Sequence, residues 1–223
     1  MICFSASYAL AIGLAAVGNY KRMRWRRVAP LGAAAAGLIA HTWYLGQRVA
    51  AEAAAPLSSP HDWYLAAAWT LAAAYLTAAI YYPRPLMGIL LLGAVLALIG
   101  ASALAGTAPL ASFQSPRFWG LTHGVLLMFG TVAVLWGFLA GVMYLVQSHR
   151  LKRKLPRDDR FSLPSLEWLE RANSESLGAA LVFVALGFVT GVVSRIGQAS
   201  EAIPWNDTMV VRIYIKILYL IDE

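Results

Sequence analysis

The chain has 223 residues, of which 60% are hydrophobic and 13% charged, and its mean hydropathy is +0.62. This composition is well above the apolar content of soluble domains, so it disfavours a water-soluble protein and indicates the bilayer as the main solvent. The net charge is +7, and in so apolar a chain it is expected to set membrane orientation rather than to bind nucleic acid. The single cysteine, Cys3, cannot form an internal disulfide.

Apolar runs of membrane-spanning length recur along the whole sequence. A helix needs about 20 residues to cross about 30 Å of hydrocarbon, and lipid offers no partners to the backbone of an open strand. The sequence therefore predicts an all-α, polytopic transmembrane helix bundle of six to seven spans, which forms one integral membrane domain over residues 1–223. The predicted spans are 2–20, 28–49, 63–82, 86–106, 118–147, 175–194 and a shorter seventh at 208–221.

The connections between these spans alternate in charge. Three connections, after the first, third and fifth spans, hold most of the basic residues, whereas the intervening ones hold one each: Arg48, Arg117 and Arg195. The positive-inside rule then places the amino terminus outside and the protein in the cytoplasmic (inner) membrane as a multi-pass protein. The basic residues of the three inner connections are Lys21, Arg22, Arg24, Arg26 and Arg27, then Arg84, then Arg150, Lys152, Arg153, Lys154, Arg157 and Arg160.

Residues 148–174 are predicted to be a cytoplasmic connector, basic in its first half and amphipathic in its second. In the amphipathic half, Leu163, Leu166 and Leu169 recur every three residues between charged positions. This spacing is typical of a short helix that lies on the membrane surface. The basic half is expected to be solvated and attracted to anionic headgroups.

The seventh span differs from the others in length and charge. Residues 208–221 cover only about 21 Å as a helix, and Arg212 and Lys216 lie four apart on one face. The chain then ends in Asp222 and Glu223 without a basic tail. We therefore expect the domain to be incomplete at the carboxyl end.

Two histidines fall inside predicted spans, where ionisable groups are costly and usually functional. Counted along the helices, His41 lies about 12 Å and His123 about 8 Å below the outer boundary. Neutral imidazoles at matching depth could bind opposite faces of a haem (heme) iron. Alternatively, each could form a hydrogen bond across helices to a carbonyl or hydroxyl group.

Aromatic residues cluster near the same outer boundary. They form either an interfacial belt or an apolar platform for a flat hydrophobic ligand, and the two roles are compatible. The sequence contains no G-x-S-x-G elbow, paired carboxylates or phosphate-binding loop, which disfavours an autonomous enzyme. The clustered residues are Trp43, Tyr44, Trp63, Tyr64, Trp119 and Trp205.

Several motifs in order resemble the CcsA/HemX-like family of cytochrome c assembly proteins, from about His41 to the end of the chain. The motifs are Leu-Ser-Ser-Pro at 57–60, Leu-Thr-His at 121–123, Tyr-Leu-Val-Gln at 144–147 with Leu-Lys at 151–152, Leu-Pro-Ser-Leu-Glu-Trp-Leu-Glu at 163–170 and Pro-Trp-Asn-Asp at 204–207. The resemblance implies a protein that handles haem at the outer face of the membrane.

On this resemblance, Trp205 and Asp207 match the end of the family's tryptophan-rich motif, and His123 and His41 match histidines on helices that precede it. It implies transient haem binding by His41, His123, Trp205 and Asp207, with the histidines as iron ligands, and presentation of haem to apocytochrome c together with other membrane assembly subunits. Two alternatives stay open: a membrane transporter subunit whose histidines line a path, and a HemX-like regulator of haem biosynthesis.

Overall fold

A computed structural model describes residues 1–17, 25–51, 57, 59–82, 84–108, 117–154 and 163–196. All regular secondary structure within these ranges is helical, in agreement with the predicted all-α class. The six helices are α1 (Ile2–Val17), α2 (Trp25–Ala51), α3 (Pro60–Tyr81), α4 (Pro85–Leu104), α5 (Arg117–Lys152) and α6 (Leu166–Ile196).

Five of these helices are long and apolar enough to cross a membrane, and the chain is accordingly a helical membrane protein by its composition and helix lengths. They correspond to α2 through α6, and the apolar part of α1, Ile2–Ala16, is shorter. The seventh predicted span, 208–221, lies outside the described residues, as do Trp205 and Asp207.

The first four helices form a bundle, which we call the four-helix bundle (α1–α4). In it α1 packs against α2 and α4, and α3 packs against α4 and α2. Large side chains fill its centre with almost no exposed surface, which gives the close packing typical of a protein interior. They include Phe4, Tyr8, Leu65, Leu71, Met87, Leu91 and Leu92.

The last two helices form an antiparallel pair, the α5–α6 hairpin, whose strongest contacts outside the pair are those of α5 with α3. Glycines allow its two backbones to approach closely. A Cβ atom at Gly130 would lie 3.0 Å from Val184, and one at Gly137 would lie 2.6 Å from the Ser176 hydroxyl oxygen. Few apolar side chains of α6 are buried, and most of them face outward, as expected for contact with lipid.

Contacts between helix ends define the two ends of the molecule. At one, which we call the Asp62 end, the Arg48 guanidinium of α2 pairs with the Asp62 carboxylate of α3 at 2.8 Å. At the other, the Trp168 end, the ring of Trp168 in α6 lies 4.9 Å from that of Tyr82, which follows α3. Arg48 and Asp62 border one predicted outer connection, and Tyr82 and Trp168 border two predicted inner ones.

The structure differs from the sequence prediction in the connector at 148–174. Helix α5 continues to Lys152, and α6 begins at Leu166 and continues without a break into the sixth span. Leu163 and Leu169 are buried in the core instead of facing lipid. The amphipathic pattern therefore marks the first turns of α6, packed on the four-helix bundle, and the described residues 163–174 contain no separate surface helix.

Candidate functional site

His123 lies on α5 within about two turns of the Asp62 end, and its ring is directed at α6. Its Nδ1 atom is 2.6 Å from the carbonyl oxygen of Gly187. Because a carbonyl oxygen can only accept a hydrogen bond, Nδ1 carries the proton and donates it. In the neutral ring, Nε2 then keeps its lone pair, which is the arrangement that prepares a histidine to bind a metal through Nε2.

The backbone of α6 can approach this imidazole because Gly191 faces it. A Cβ atom at Gly191 would lie 2.8 Å from both Cε1 and Nδ1 of His123, so any larger residue would displace the ring. A Cβ atom at Gly187 would instead lie 2.8 Å from a methyl carbon of Leu127. Gly191 therefore leaves room for the His123 ring, and the Gly187 carbonyl oxygen sets its tautomer.

Two tryptophans of the predicted aromatic belt flank this part of α5. Trp119 precedes His123 by one helical turn, on the same face, and is 38% exposed. Trp63 of α3 packs on Gly124, where a Cβ atom would lie 2.5 Å from the indole carbon Cη2. The structure thus places two tryptophans within one helical turn of His123 at the Asp62 end.

His41 lies on α2, also about two turns from the Asp62 end, and is fully buried. Its ring stacks on Phe4 of α1 with a centroid distance of 4.3 Å and an interplanar angle of 1°. The Tyr8 hydroxyl lies 3.5 Å from Nδ1. Its Nε2 atom is buried with no hydrogen-bond partner in the described part of the chain. An unsatisfied buried nitrogen of this kind carries a free-energy cost that a bound ligand could remove.

The two predicted iron ligands contact different helix pairs. The ring contacts of His41 are with α1, whereas His123 bonds to α6. Each lies about two turns from the Asp62 end, and the described contacts place them in separate surroundings. The predicted role of each as an iron ligand stays a prediction, and so do the roles of Trp205 and Asp207.

Both imidazoles have the donor chemistry that a haem iron requires. Within the described ranges no group of three or more His, Cys, Asp or Glu side chains could hold a bare metal ion. A haem iron takes four nitrogens from its own porphyrin, so one or two isolated imidazoles are sufficient as protein ligands. Nε2 of His123 fits that requirement. Nε2 of His41 is enclosed by the surrounding side chains, and it carries a lone pair only when Nδ1 is the protonated nitrogen facing Tyr8.

A third histidine, His61, lies inside a helix, although the predicted third span begins two residues after it. His61 precedes the predicted third span, but in the structure it lies in the first turn of α3, buried, with Nδ1 at 2.7 Å from the Ser102 carbonyl oxygen of α4. Ser59 is the N-cap residue, and its hydroxyl donates to Asp62 at 2.7 Å. This group of residues ties together the ends of α2, α3 and α4.

Sequence reasoning missed Phe4 and Tyr8 as the side chains that surround His41. Their spacing of four residues places both on one face of α1, and this spacing was the available signal. Which helix that face would contact depends on the tertiary packing and could not be deduced from α1 alone.

Comparison of the chain with protein-family models, curated proteins and solved structures found no match.

Proposed function

We propose that this protein handles haem in the biogenesis of c-type cytochromes: it binds haem transiently at the extracytoplasmic face of the cytoplasmic membrane and presents it to apocytochrome c. The observation that carries the proposal is the hydrogen bond from His123 Nδ1 to the Gly187 carbonyl oxygen. This bond fixes the tautomer in which Nε2 is free to bind iron. The ordered motifs that resemble the CcsA/HemX-like family support the same function.

The proposed topology is that of a multi-pass protein with six to seven spans and an external amino terminus. In this topology the Asp62 end is extracytoplasmic and the Trp168 end is cytoplasmic. The distribution of basic residues supports it, because those at the Asp62 end are few and Arg48 is paired with Asp62. The basic residues of the Trp168 end are Arg84, Arg150, Lys152, Arg153 and Lys154.

In the proposed mechanism the protein positions haem and shields it, and the iron supplies the redox chemistry. His123 Nε2 would bind the haem iron, and Gly187 and Gly191 would hold the ring in orientation. The indoles of Trp119 and Trp63 provide apolar surface that excludes water beside the ligand. His41 is the proposed second imidazole, and Trp205 and Asp207 are proposed to contact the porphyrin. Other membrane assembly subunits complete the transfer.

The test is the haem content of the protein purified in detergent, measured by its Soret absorption and by a pyridine haemochrome assay. We expect His123→Ala to lose most of the haem that the wild type retains. His149→Ala is the matched control, because His149 lies on the same helix but is exposed at the Trp168 end. Wild-type protein that takes up no haem on reconstitution, or equal haem in the two variants, would contradict the proposal.

Measurements in cells distinguish delivery of haem to apocytochrome c from regulation of haem biosynthesis. On the delivery proposal, His123→Ala abolishes holocytochrome c while total haem stays unchanged. A fall in total haem with normal attachment to apocytochrome c would instead favour a regulator of haem biosynthesis.

A further inference from the structure

A cavity of about 340 Å³ opens between α5 and α6 near the Trp168 end, away from the proposed haem site. Two indoles, one guanidinium, one carboxylate and one hydroxyl group line it, together with a small apolar side chain. The residues are Trp136, Trp168, Arg171, Ala172, Glu175 and Ser176.

The cavity lies near the level where a hydrocarbon layer that begins at the Asp62 end would stop. Trp168, which lines it, contacts Tyr82, and Tyr82 follows Asp62 by about 30 Å along α3. A hydrocarbon core is about 30 Å thick, so this contact places the cavity near the second membrane–water boundary when the first lies at Asp62. Its natural occupant is therefore a group of the lipid headgroup layer.

The cavity carries one positive and one negative group on the same helix face. Arg171 and Glu175 lie four residues apart on α6, with their Cβ atoms about 6 Å apart. Arg171 also contacts Glu167 at 3.8 Å, but the two side chains of that pair are 68% and 86% exposed, so this ion pair is weak. Arg171 is thus able to bind an anion, and Glu175 a cation, within the same cavity.

The indoles add a surface that suits an organic cation. Trp168 is held in place by its ring contact with Tyr82, and Trp136 faces it from α5 across the cavity. Indole rings attract ammonium groups through their faces and are enriched at the headgroup level of membranes. A ligand that carries a phosphate and an ammonium group a few atoms apart matches this combination of side chains.

We propose that this cavity binds the phosphoethanolamine headgroup of phosphatidylethanolamine. The phosphate binds Arg171, and the primary ammonium donates hydrogen bonds to Glu175 between the two indoles. The assignment rests on the helices spanning a membrane and is independent of haem binding. Phosphatidylcholine has no N–H group and cannot donate to Glu175, and phosphatidylglycerol has no cation, so headgroup selectivity distinguishes this site from general lipid contact.

The test is native mass spectrometry of the full chain in detergent, titrated with each of the three phospholipids with matched acyl chains. We expect one phosphatidylethanolamine to bind roughly tenfold more tightly than phosphatidylcholine, a ratio equivalent to about 1.4 kcal/mol. Glu175→Gln should remove this preference, and Arg171→Gln should weaken the binding of all three lipids. Glu170→Gln and Arg153→Gln are the matched controls, since both residues are exposed and neither lines the cavity.

Two further measurements complete the test. Elution in gel filtration and helical content by circular dichroism show that each variant is folded. Competition with soluble glycerophosphoethanolamine and with inorganic phosphate then identifies the group that is bound. Equal affinities for the three lipids, equal effects of Glu175→Gln and Glu170→Gln, or displacement of lipid by inorganic phosphate as effective as by glycerophosphoethanolamine would each overturn the proposal.

Discussion

The four-helix bundle and the α5–α6 hairpin are held together in different ways. In the bundle, large apolar side chains such as Leu71 and Leu91 fill the space between helices. In the hairpin, glycines allow the backbones to approach closely, and the His123 ring occupies the space that a side chain at position 191 would need. The interior of the bundle is filled by side chains and leaves little space for a ligand. In the hairpin the backbones approach closely, and the outer faces and polar groups of the two helices stay accessible. His123 and the proposed lipid site lie on the hairpin, whereas His41, the other proposed iron ligand, is buried in the four-helix bundle.

The largest expected effect comes from opening a cavity in the bundle. Leu71→Ala removes a fully buried side chain, and we expect a loss of about 2 to 4 kcal/mol in the free energy of unfolding, because the packing contacts disappear and the site cannot collapse completely. Unfolding in mixed micelles with increasing dodecyl sulfate measures this loss. Leu181→Ala is the control on the hairpin: Leu181 is 71% exposed, and its truncation should change stability little. Equal losses would remove the contrast between the two regions.

Next in size is the ion pair at the Asp62 end of the bundle. Asp62→Ala removes the acceptor of both Arg48 Nε and the Ser59 hydroxyl, and the expected cost is about 2 kcal/mol, since Asp62 is buried. Thermal unfolding in detergent checks it. Glu167→Ala is the corresponding test in the hairpin, where the pair with Arg171 is exposed and its loss should be undetectable. A comparable drop in both variants would show that burial does not determine the strength of these pairs.

A smaller effect is expected from a methyl group placed in the hairpin. Gly191→Ala puts a Cβ atom against the His123 ring, and we expect destabilisation by about 1 to 2 kcal/mol together with a fall in retained haem. Gly178→Ala, on the same helix with no atom within 4 Å of the added Cβ, should be neutral or slightly stabilising because alanine favours helix. Haem content and unfolding of the two variants are measured side by side. If Gly191→Ala is destabilised but retains as much haem as the wild type, then Gly191 contributes to stability and not to the proposed haem site.

The smallest effect concerns a single hydrogen bond at the edge of the bundle. The Trp69 indole donates to the Thr42 hydroxyl at 2.8 Å, which links α3 to α2. Thr42→Val removes the acceptor, and the expected loss is about 0.6 kcal/mol, the usual value for such bonds between membrane helices. Thr77→Val is the control, because that hydroxyl bonds only to its own helix at Ala74. A loss above that of Asp62→Ala would reverse the expected order.

The span bounds predicted from hydropathy agree with the helix bounds more closely in the four-helix bundle than in the α5–α6 hairpin. The third and fourth spans were predicted at 63–82 and 86–106, and the structure has Pro60–Tyr81 and Pro85–Leu104. The early start of α3 includes the polar residues His61 and Asp62, which the prediction left outside the span. Their partners, Ser102 and Arg48, lie on other helices and could not be read from the local sequence.

The sixth span shows the same limit more clearly. It was predicted to begin at 175, yet α6 begins at Leu166, because Trp168 and Leu169 pack on the bundle and the Ser165 hydroxyl accepts the Trp168 N–H at 3.3 Å. Charged residues in these first turns led to the prediction of a separate surface helix there, and its continuity with the sixth span was missed. For the candidate site, the neighbours of His41 and His123 could not be predicted from the sequence, since the pairing of helices depends on side-chain shape.

The length of α5 has a consequence for the Trp168 end. Its 36 residues measure about 54 Å, well beyond the thickness of a hydrocarbon core. With its first turn at one membrane boundary and its axis upright, the helix would extend about 20 Å beyond the other boundary. Screening at physiological ionic strength weakens charge interactions over about 8 Å. The cations at and just after its end, Lys152, Arg153 and Lys154, would then lie too far from the bilayer to attract anionic headgroups, in contrast to the expectation for the basic half of the connector.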